Sequence, residues 1–266
     1  MNPASFIAKR GFLLEKKTKI GYILIVIKLS IIVPAYNEER GLEQAVRNLC
    51  SLLEKNKMNG VFEILIFNDC SRDKTGEIAD RLAKDINSVR VFHNEKNRGL
   101  GFNFREGARQ SRGEYVTWFP GDNENLPQSF IDTVSHMGEA DVIIPYTANM
   151  AVRPFSRRFV SKIYTVINNL FFGLRLRYYN GLSVYKKDLL LVVLPRIGDS
   201  FAFSAQILVM LLKSGASFIE VPIKIQSKPG GRSSAFRFNN VIGVIKAILS
   251  LFWRININKE RIMIEK

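Results

Sequence analysis

Leu29-Ser-Ile-Ile-Val-Pro34, followed at once by Ala35-Tyr-Asn-Glu-Glu39, is the stretch on which the fold turns. A short apolar run closed by proline reads as a buried strand, and the polar loop behind it as a strand end open to a ligand. Working outward, Arg40 to Glu54 carries Leu42, Ala45, Val46, Leu49 and Leu53 at helical spacing. Val61-Phe-Glu-Ile-Leu-Ile-Phe67 is a second strand, Asn68-Asp-Cys-Ser-Arg-Asp73 a turn, and Thr75 to Lys84 a helix. A third strand over Ser88 to His93, a helix over Gly99 to Gln110 and a fourth strand over Tyr115 to Phe119 continue the pattern. Alternation with short loops predicts an α/β protein with a mostly parallel sheet, helices on both faces and right-handed crossovers.

In such sheets ligands bind beyond the carboxyl ends of the strands. Tyr36, Asn37 and Glu38 follow the first strand, Asn68 and Asp69 the second, and Asp122, Asn123 and Glu124 the fourth, in a turn introduced by Pro120-Gly121. Any one of these alone is as readily a turn residue or helix cap. Together they bring carboxylates from separate strand ends to one rim. Asp122 and Glu124 are oxygen donors of the kind Mg²⁺ or Mn²⁺ prefers, and such a cation neutralises a departing diphosphate. Acids at this spacing are common in loops, so the pair draws its weight from its place after an apolar strand. There is no dinucleotide glycine fingerprint after the first strand, no Walker loop and no nucleophile elbow. Arg98-Gly-Leu-Gly101 reads as a tight turn into a helix.

Composition narrows the classes. Apolar residues make up 47% of 266 and charged residues 24%, which suits a globular chain with a sizeable core. The two cysteines, Cys50 and Cys70, exclude a disulfide scaffold and a four-cysteine zinc site, and fit a reduced, cytosolic compartment. The two histidines, His93 and His136, speak against a His-rich metal site. The net charge of +15 is uneven: residues 29–152 hold 14 Lys/Arg against 18 acids, and residues 153–266 hold 19 against five. A basic excess serves nucleic acid, an anionic membrane surface or a phosphorylated substrate, and charge alone does not choose.

No stretch approaches the ~20 uninterrupted apolar residues of a spanning helix, and the run Ile20 to Ile27 lacks a cleavage site, so no secretory signal is expected. Residues 1–28 read as a basic extension with room for one extra strand. Val241 to Trp253 is apolar except for a narrow stripe at Gly243, Lys246 and Ser250, and Phe155 to Phe172 places Phe155, Phe159, Ile163, Ile167 and Leu170 or Phe171 on one face with Arg157, Arg158 and Lys162 on others. Each suits a helix lying in a membrane interface, and each suits a core helix; two in the same basic half favour the membrane surface.

Taken in order, Ile31-Ile-Val-Pro-Ala-Tyr-Asn-Glu-Glu39, Asn68-Asp-Cys-Ser-Arg-Asp-Lys-Thr75, Asn97-Arg-Gly-Leu-Gly101, Arg112-Gly-Glu-Tyr115 and Gly121-Asp-Asn-Glu124 resemble the family-2 inverting glycosyltransferases of GT-A fold. Tyr179-Asn-Gly-Leu-Ser-Val-Tyr185 and Glu220-Val-Pro-Ile223 resemble later blocks of the polyprenyl- or dolichyl-phosphate mannosyltransferase branch. The resemblance spans about residues 29–235 and implies a GT-A catalytic domain there, between the extension 1–28 and an amphipathic membrane-interface segment over 236–266. It implies that Pro34, Tyr36 and Glu38 line the nucleotide pocket, that Asp69 contacts the base or ribose, and that Asn123 lies against the donor diphosphate. Asp122 and Glu124 stand where the family has its metal motif, for Mg²⁺ or Mn²⁺, and Arg232 is the best match for a phosphate-holding cation, a role that suits its planar fork. The chain departs from the pattern at Asn68, where the family usually has Asp, at Glu124 for Asp, and at Asn180-Gly-Leu182 for a block that often reads Ser-Gly-Phe.

The implied reaction is one displacement at the anomeric carbon. A sugar hydroxyl acceptor needs a general base, whereas a lipid phosphate is already anionic. Around Arg175, Arg177, Tyr178 and Tyr179 the nearest acids in sequence are Asp188 and Asp199, and Asp199 reads as a helix cap before Phe201 to Leu212. The leading expectation is therefore a sugar nucleotide donor and a polyprenyl phosphate acceptor, with the protein peripheral on the cytoplasmic, inner face of an anionic membrane and without a nucleic-acid partner. Transfer to a saccharide hydroxyl in cell-surface polysaccharide assembly, and sugar-nucleotide binding without catalysis, are the alternatives. A nucleic-acid module finds no aromatic-basic or helix-turn-helix signature. The sugar, the base and the oligomeric state are not legible.

Overall fold

The computed structural model describes the backbone of residues 13–18, 21–58, 60–121, 127–225 and 238–260, and the side chains in these ranges except at 13–25, 127 and 238–240. Within the basic N-terminal stretch, β1 (Leu13–Thr18) and β2 (Gly21–Val26) pair antiparallel as a separate two-stranded sheet, two strands where the sequence suggested one.

The strands and helices that follow are β3 (Leu29–Ala35), α1 (Leu42–Lys55), β4 (Phe62–Asn68), α2 (Thr75–Asp85), β5 (Val89–His93), α3 (Leu100–Gln110) and β6 (Tyr115–Trp118). Beyond them come α4 (Pro127–Val134), β7 (Val142–Thr147), α5 (Phe155–Phe172), β8 (Val184–Lys186), α6 (Lys187–Val193), α7 (Phe203–Lys213), β9 (Phe218–Ile223) and α8 (Phe238–Phe252). The main sheet has seven strands in the order β5-β4-β3-β6-β8-β7-β9, parallel except that β8 runs antiparallel to both its neighbours.

Period-two alternation sorts β3 between two cores. Leu29, Ile31, Val33 and Ala35 face the layer made by α1, α2 and α4, and Ile32 faces the layer made by α3, α5, α6, α7 and α8. Both faces are covered, which is why the strands read as unbroken apolar runs. On α1 the buried residues Leu42, Ala45, Val46, Leu49, Cys50 and Leu53 form the stripe that the sequence spacing predicts.

Pro34 shapes the active edge of this sheet. Even-numbered residues of β3 turn their backbone groups toward β6, and that pairing stops at Ile32↔Trp118 with one further bond from Phe119 N to Ile32 O at 2.8 Å. Pro34 has no N–H to offer the next rung, so β6 peels away there. The departing chain then passes Gly121, where an added Cβ would sit 3.4 Å from Pro34 O.

Candidate active site

The carboxyl ends of β4, β3 and β6 lie side by side, and the loops leaving β3 and β4 are laced together. Asn37 N donates to Ser71 Oγ (3.0 Å), Arg72 N to Asn37 Oδ1 (2.9 Å), Glu38 N to Thr75 Oγ1 (2.8 Å), Glu39 N to Asp73 Oδ2 (3.2 Å) and Lys74 N to Glu39 Oε2 (3.2 Å). Asn37 (φ 57°) and Cys70 (φ 61°) both adopt the left-handed conformation that such sharp exits need, a conformation Asn tolerates and Cys seldom takes. Burial pushes the Asp73 carboxyl up, but its bonds from Thr75 Oγ1, Thr75 N and Glu39 N outweigh this and hold it below its usual value.

Asp69 is 3% exposed and works mainly as an internal acceptor. Its Oδ1 receives Asn94 Nδ2 (2.7 Å) and Arg98 N (2.8 Å), and its Oδ2 receives Gly99 N (2.8 Å), so it shapes the turn into α3. Gly99 takes φ 83° there, and a Cβ on Gly101 would stand 2.8 Å from the Asp199 backbone. Arg98-Gly-Leu-Gly101 is thus the turn into a helix that its sequence suggests, with its second glycine demanded by close approach.

The structure brings Pro34, Tyr36, Glu38 and Asp69 to one edge, with Tyr36 43% exposed beyond the strand end. Asp122, Asn123, Glu124 and Arg232 lie outside the described residues, and their flanks locate the ends of the two segments that carry them. Residue 121 abuts Pro34. Ser129 Oγ of α4 donates to Lys224 O (2.5 Å), and Asn149 exchanges bonds with Ile225 N (2.9 Å) and O (2.8 Å). Lys224, next to the last residue described before Arg232, therefore lies beside α4, the first element described after Glu124.

A second feature lies past β7. A pocket of about 560 Å³ is lined by Met150, Phe155, Phe159 and Val166 together with the cations Arg158, Lys162 and Arg177. Asn169 of α5 braces its floor by bonds to Leu176 O, Leu176 N and Tyr179 Oη (2.8, 3.0 and 2.8 Å). Burial pushes the Tyr164 and Tyr179 phenols well above their usual range, so both stay neutral. Arg153 Nη1 donates to Tyr178 Oη (3.0 Å). In sequence no carboxylate stands near Arg177, but the fold supplies one: Glu220 of β9 accepts Arg177 N at 2.7 Å. That acid is held by the arginine rather than presented as a free base. Its pairing needs the β7–β9 ladder, which no local pattern announces.

Asp199 is not the helix cap expected from its sequence. α7 begins at Phe203 behind Ala202, which makes no side-chain cap, and Asp199 Oδ1 instead pairs with Arg105 Nη1 at 2.8 Å. Arg105 also donates to Ile197 O (2.8 Å) and clamps this loop to α3.

Both amphipathic segments are helices, and each leaves apolar side chains in the open. Ile248 and Leu251 of α8 are buried, whereas Val241, Ile245, Leu249, Trp253 and Ile257 recur every fourth residue at 40–58% exposure. On α5, Phe155 and Leu170 are each 76% exposed, with Phe159, Ile163 and Ile167 between them. The two helices meet at Phe171 and Phe252, whose ring centres are 5.0 Å apart. Among the described residues no helix is long and apolar enough to cross a membrane.

The seven-stranded, mostly parallel sheet with helices on both faces is the arrangement that the GT-A expectation requires. The family profile described as glycosyl transferase family 2 matches residues 30–191, and the chain belongs to that family. It is 25% identical over 238 residues to glycosyltransferase AglD of Haloferax volcanii, covering 87% of this chain and 38% of that protein. It is 31% identical over 140 residues to the human dolichyl-phosphate beta-glucosyltransferase, covering 51% and 42%. A 100-residue match at 33% identity, covering 37% and 31%, is to a GalNAc(5)-diNAcBac-PP-undecaprenol beta-1,3-glucosyltransferase of Campylobacter jejuni. The chain spans less than half the length of these curated relatives. Glucosyl-3-phosphoglycerate synthase from Mycobacterium tuberculosis with UDP superposes with a TM-score of 0.65 at 18% identity, covering 85% of this chain and 80% of that one. Its complex with Mn²⁺, UDP-glucose and phosphoglyceric acid gives 0.64 at 17% identity, with the same coverage. At these identities the likeness shows the fold.

Proposed function

We propose that this chain moves a sugar, with inversion, from a nucleotide sugar to a polyprenyl phosphate at the cytoplasmic surface of a membrane. The observation that carries the reading is the pocket in which Arg158, Lys162 and Arg177 stand among Phe155, Phe159 and Val166. A phosphate on an apolar chain needs that combination, and the exposed faces of α5 and α8 would bring the pocket to the lipid. The names of the human and Campylobacter relatives specify glucose, with dolichyl phosphate and an undecaprenol-linked saccharide as acceptors, so UDP-glucose is the first donor to try.

Tyr36 and Glu38 would flank the nucleotide, and the turn shaped by Asp69 would hold its base or ribose. Asp122 and Glu124 offer the hard oxygen donors that suit Mg²⁺ or Mn²⁺, with Arg232 a further phosphate ligand. A cation held there supplies neutralisation of the leaving diphosphate. The acceptor phosphate oxygen forms its bond to the anomeric carbon as the bond to the diphosphate breaks, with no proton to remove. Glu220 then has no part as a base, in keeping with its bond to Arg177. A second reading, transfer to a saccharide hydroxyl, is favoured by the Campylobacter relative's name.

The test is a product screen: a panel of nucleotide sugars with Mg²⁺ or Mn²⁺, offered polyprenyl phosphate or a lipid-linked oligosaccharide, read by product mass. Glycosylated polyprenyl phosphate supports the proposal, and product on the oligosaccharide alone establishes the second reading. Asp122→Ala should lower turnover by at least about 10³-fold; retained activity removes the metal role.

A further inference from the structure

Asn68, which stands where the family usually has Asp, ends β4 and is 8% exposed. Its backbone O accepts Asn94 N at 2.9 Å, and its Oδ1 accepts Ser71 N at 3.1 Å. A backbone N–H only donates, so the second bond fixes which end of the amide is oxygen. Nδ2 then faces His93 Nδ1 at 3.0 Å as a donor, and His93 Nδ1 must carry a lone pair. The ring proton belongs on Nε2, which lies 3.0 Å from Asp80 Oδ1. One neutral tautomer satisfies all these contacts.

The charged surroundings of the ring are simple. α2 presents Asp80, the one ion-pair partner of His93 among the described residues, and β4 presents the neutral Asn68. Asp69, the next residue of that chain, turns its carboxylate to Asn94, Arg98 and Gly99. A second proton on His93 would set two donors against each other across 3.0 Å. Asn68 would have to rotate and release Ser71 N, and Ser71 Oγ is what Asn37 N holds on the neighbouring loop.

We propose that His93 is a positioning residue for the nucleotide rim: with Nδ1 free of a proton it locks Asn68 and the Ser71 turn in the binding form, and proton uptake loosens the rim and weakens nucleotide binding. The proposal rests on the reading of this edge as the donor site.

The test has two readouts on the full chain. In ¹⁵N NMR the His93 ring should show the Nε2–H tautomer at pH 8, and as pH is lowered the Ser71 and Asn37 amide shifts should change together with the His93 ring shifts. Calorimetry with UDP, GDP, ADP and CDP in the presence of Mg²⁺ should find the tightest binder about tenfold weaker at pH 5.5 than at pH 8. His93→Asn keeps an acceptor near the Nδ1 position but does not titrate, so at both pH values it should bind with nearly the affinity that wild type shows at pH 8. His93→Phe should bind about tenfold more weakly at both. Asn68→Asp offers a carboxylate to the imidazolium and should remove or reverse the pH dependence. An Nδ1–H tautomer at pH 8, or His93→Asn as pH-sensitive as wild type, overturns the proposal. Binding of none of the nucleotides at any pH would instead remove the donor-site reading, and the proposal with it.

Discussion

The rim at the ends of β3 and β4 and the region of α5 and α8 solve opposite problems. In the rim, apolar side chains are inside the strands and polar groups are spent on one another: Asp69, Asp73, Asn37 and Asn68 are all bound within the loops they shape. In the helical region, apolar side chains from Phe155 to Leu170 and from Val241 to Ile257 face outward, with cations beside them. A surface that recognises a small phosphorylated ligand gains by being fixed beforehand, whereas one that meets a lipid gains by leaving apolar area uncovered. Substitutions in the first region should therefore register as stability and those in the second as partitioning.

The largest effect is expected at Asp69. Replacing it with Ala strips partners from Arg98 N, Gly99 N and the Asn94 amide, and at about 1 kcal/mol or more for each orphaned donor the fold should lose roughly 3 kcal/mol. Urea unfolding measures this, and nucleotide binding should be lost with it. A change below about 1 kcal/mol would mean that water replaces the carboxylate and that the rim is less fixed than its bonds suggest.

The outward face of α8 should behave the other way. Ile245→Ser with Leu249→Ser removes two side chains that are each 53% exposed, so the unfolding midpoint should barely move. Flotation with anionic vesicles should fall about tenfold or more, because each large apolar side chain contributes on the order of 1 kcal/mol to interfacial binding. Unchanged flotation would assign that face to something other than lipid.

The same contrast explains what was legible in the sequence. The strands and helices through Trp118 follow from short-range pattern: the spacing of Leu42, Ala45, Val46, Leu49 and Leu53 locates α1 because one face of that helix is buried. The rim residues Pro34, Tyr36, Glu38 and Asp69 are legible because each lies at or just past the carboxyl end of a strand, and parallel strands put those ends together. Pairings made across the sheet were not legible. Glu220 meets Arg177 only because β9 lies beside β7, and Asp199 meets Arg105 only because the loop before α7 crosses α3 at Gly101. The outward turn of α8 was equally hidden, since a helix apolar on nearly every side does not say which stripe is covered.

The smallest effect sharpens the account of the rim through pH. Hydrogen bonds from Thr75 and Glu39 hold the folded Asp73 carboxyl below its ordinary value, even though burial acts against them. A group whose folded pKa is depressed contributes stability above its unfolded value, near pH 4, and that contribution disappears as pH falls through the folded value. Asp73→Asn keeps one oxygen and so loses either the Glu39 N bond on Oδ2 or the Thr75 bonds on Oδ1. Its urea midpoint should lie below that of wild type at pH 7, and the gap should narrow at pH 3, where the wild-type carboxylate is itself being protonated. A gap that stayed constant between the two pH values would show that the charge on Asp73 contributes nothing and that the geometry of the Asp73–Thr75 turn alone joins the two loops.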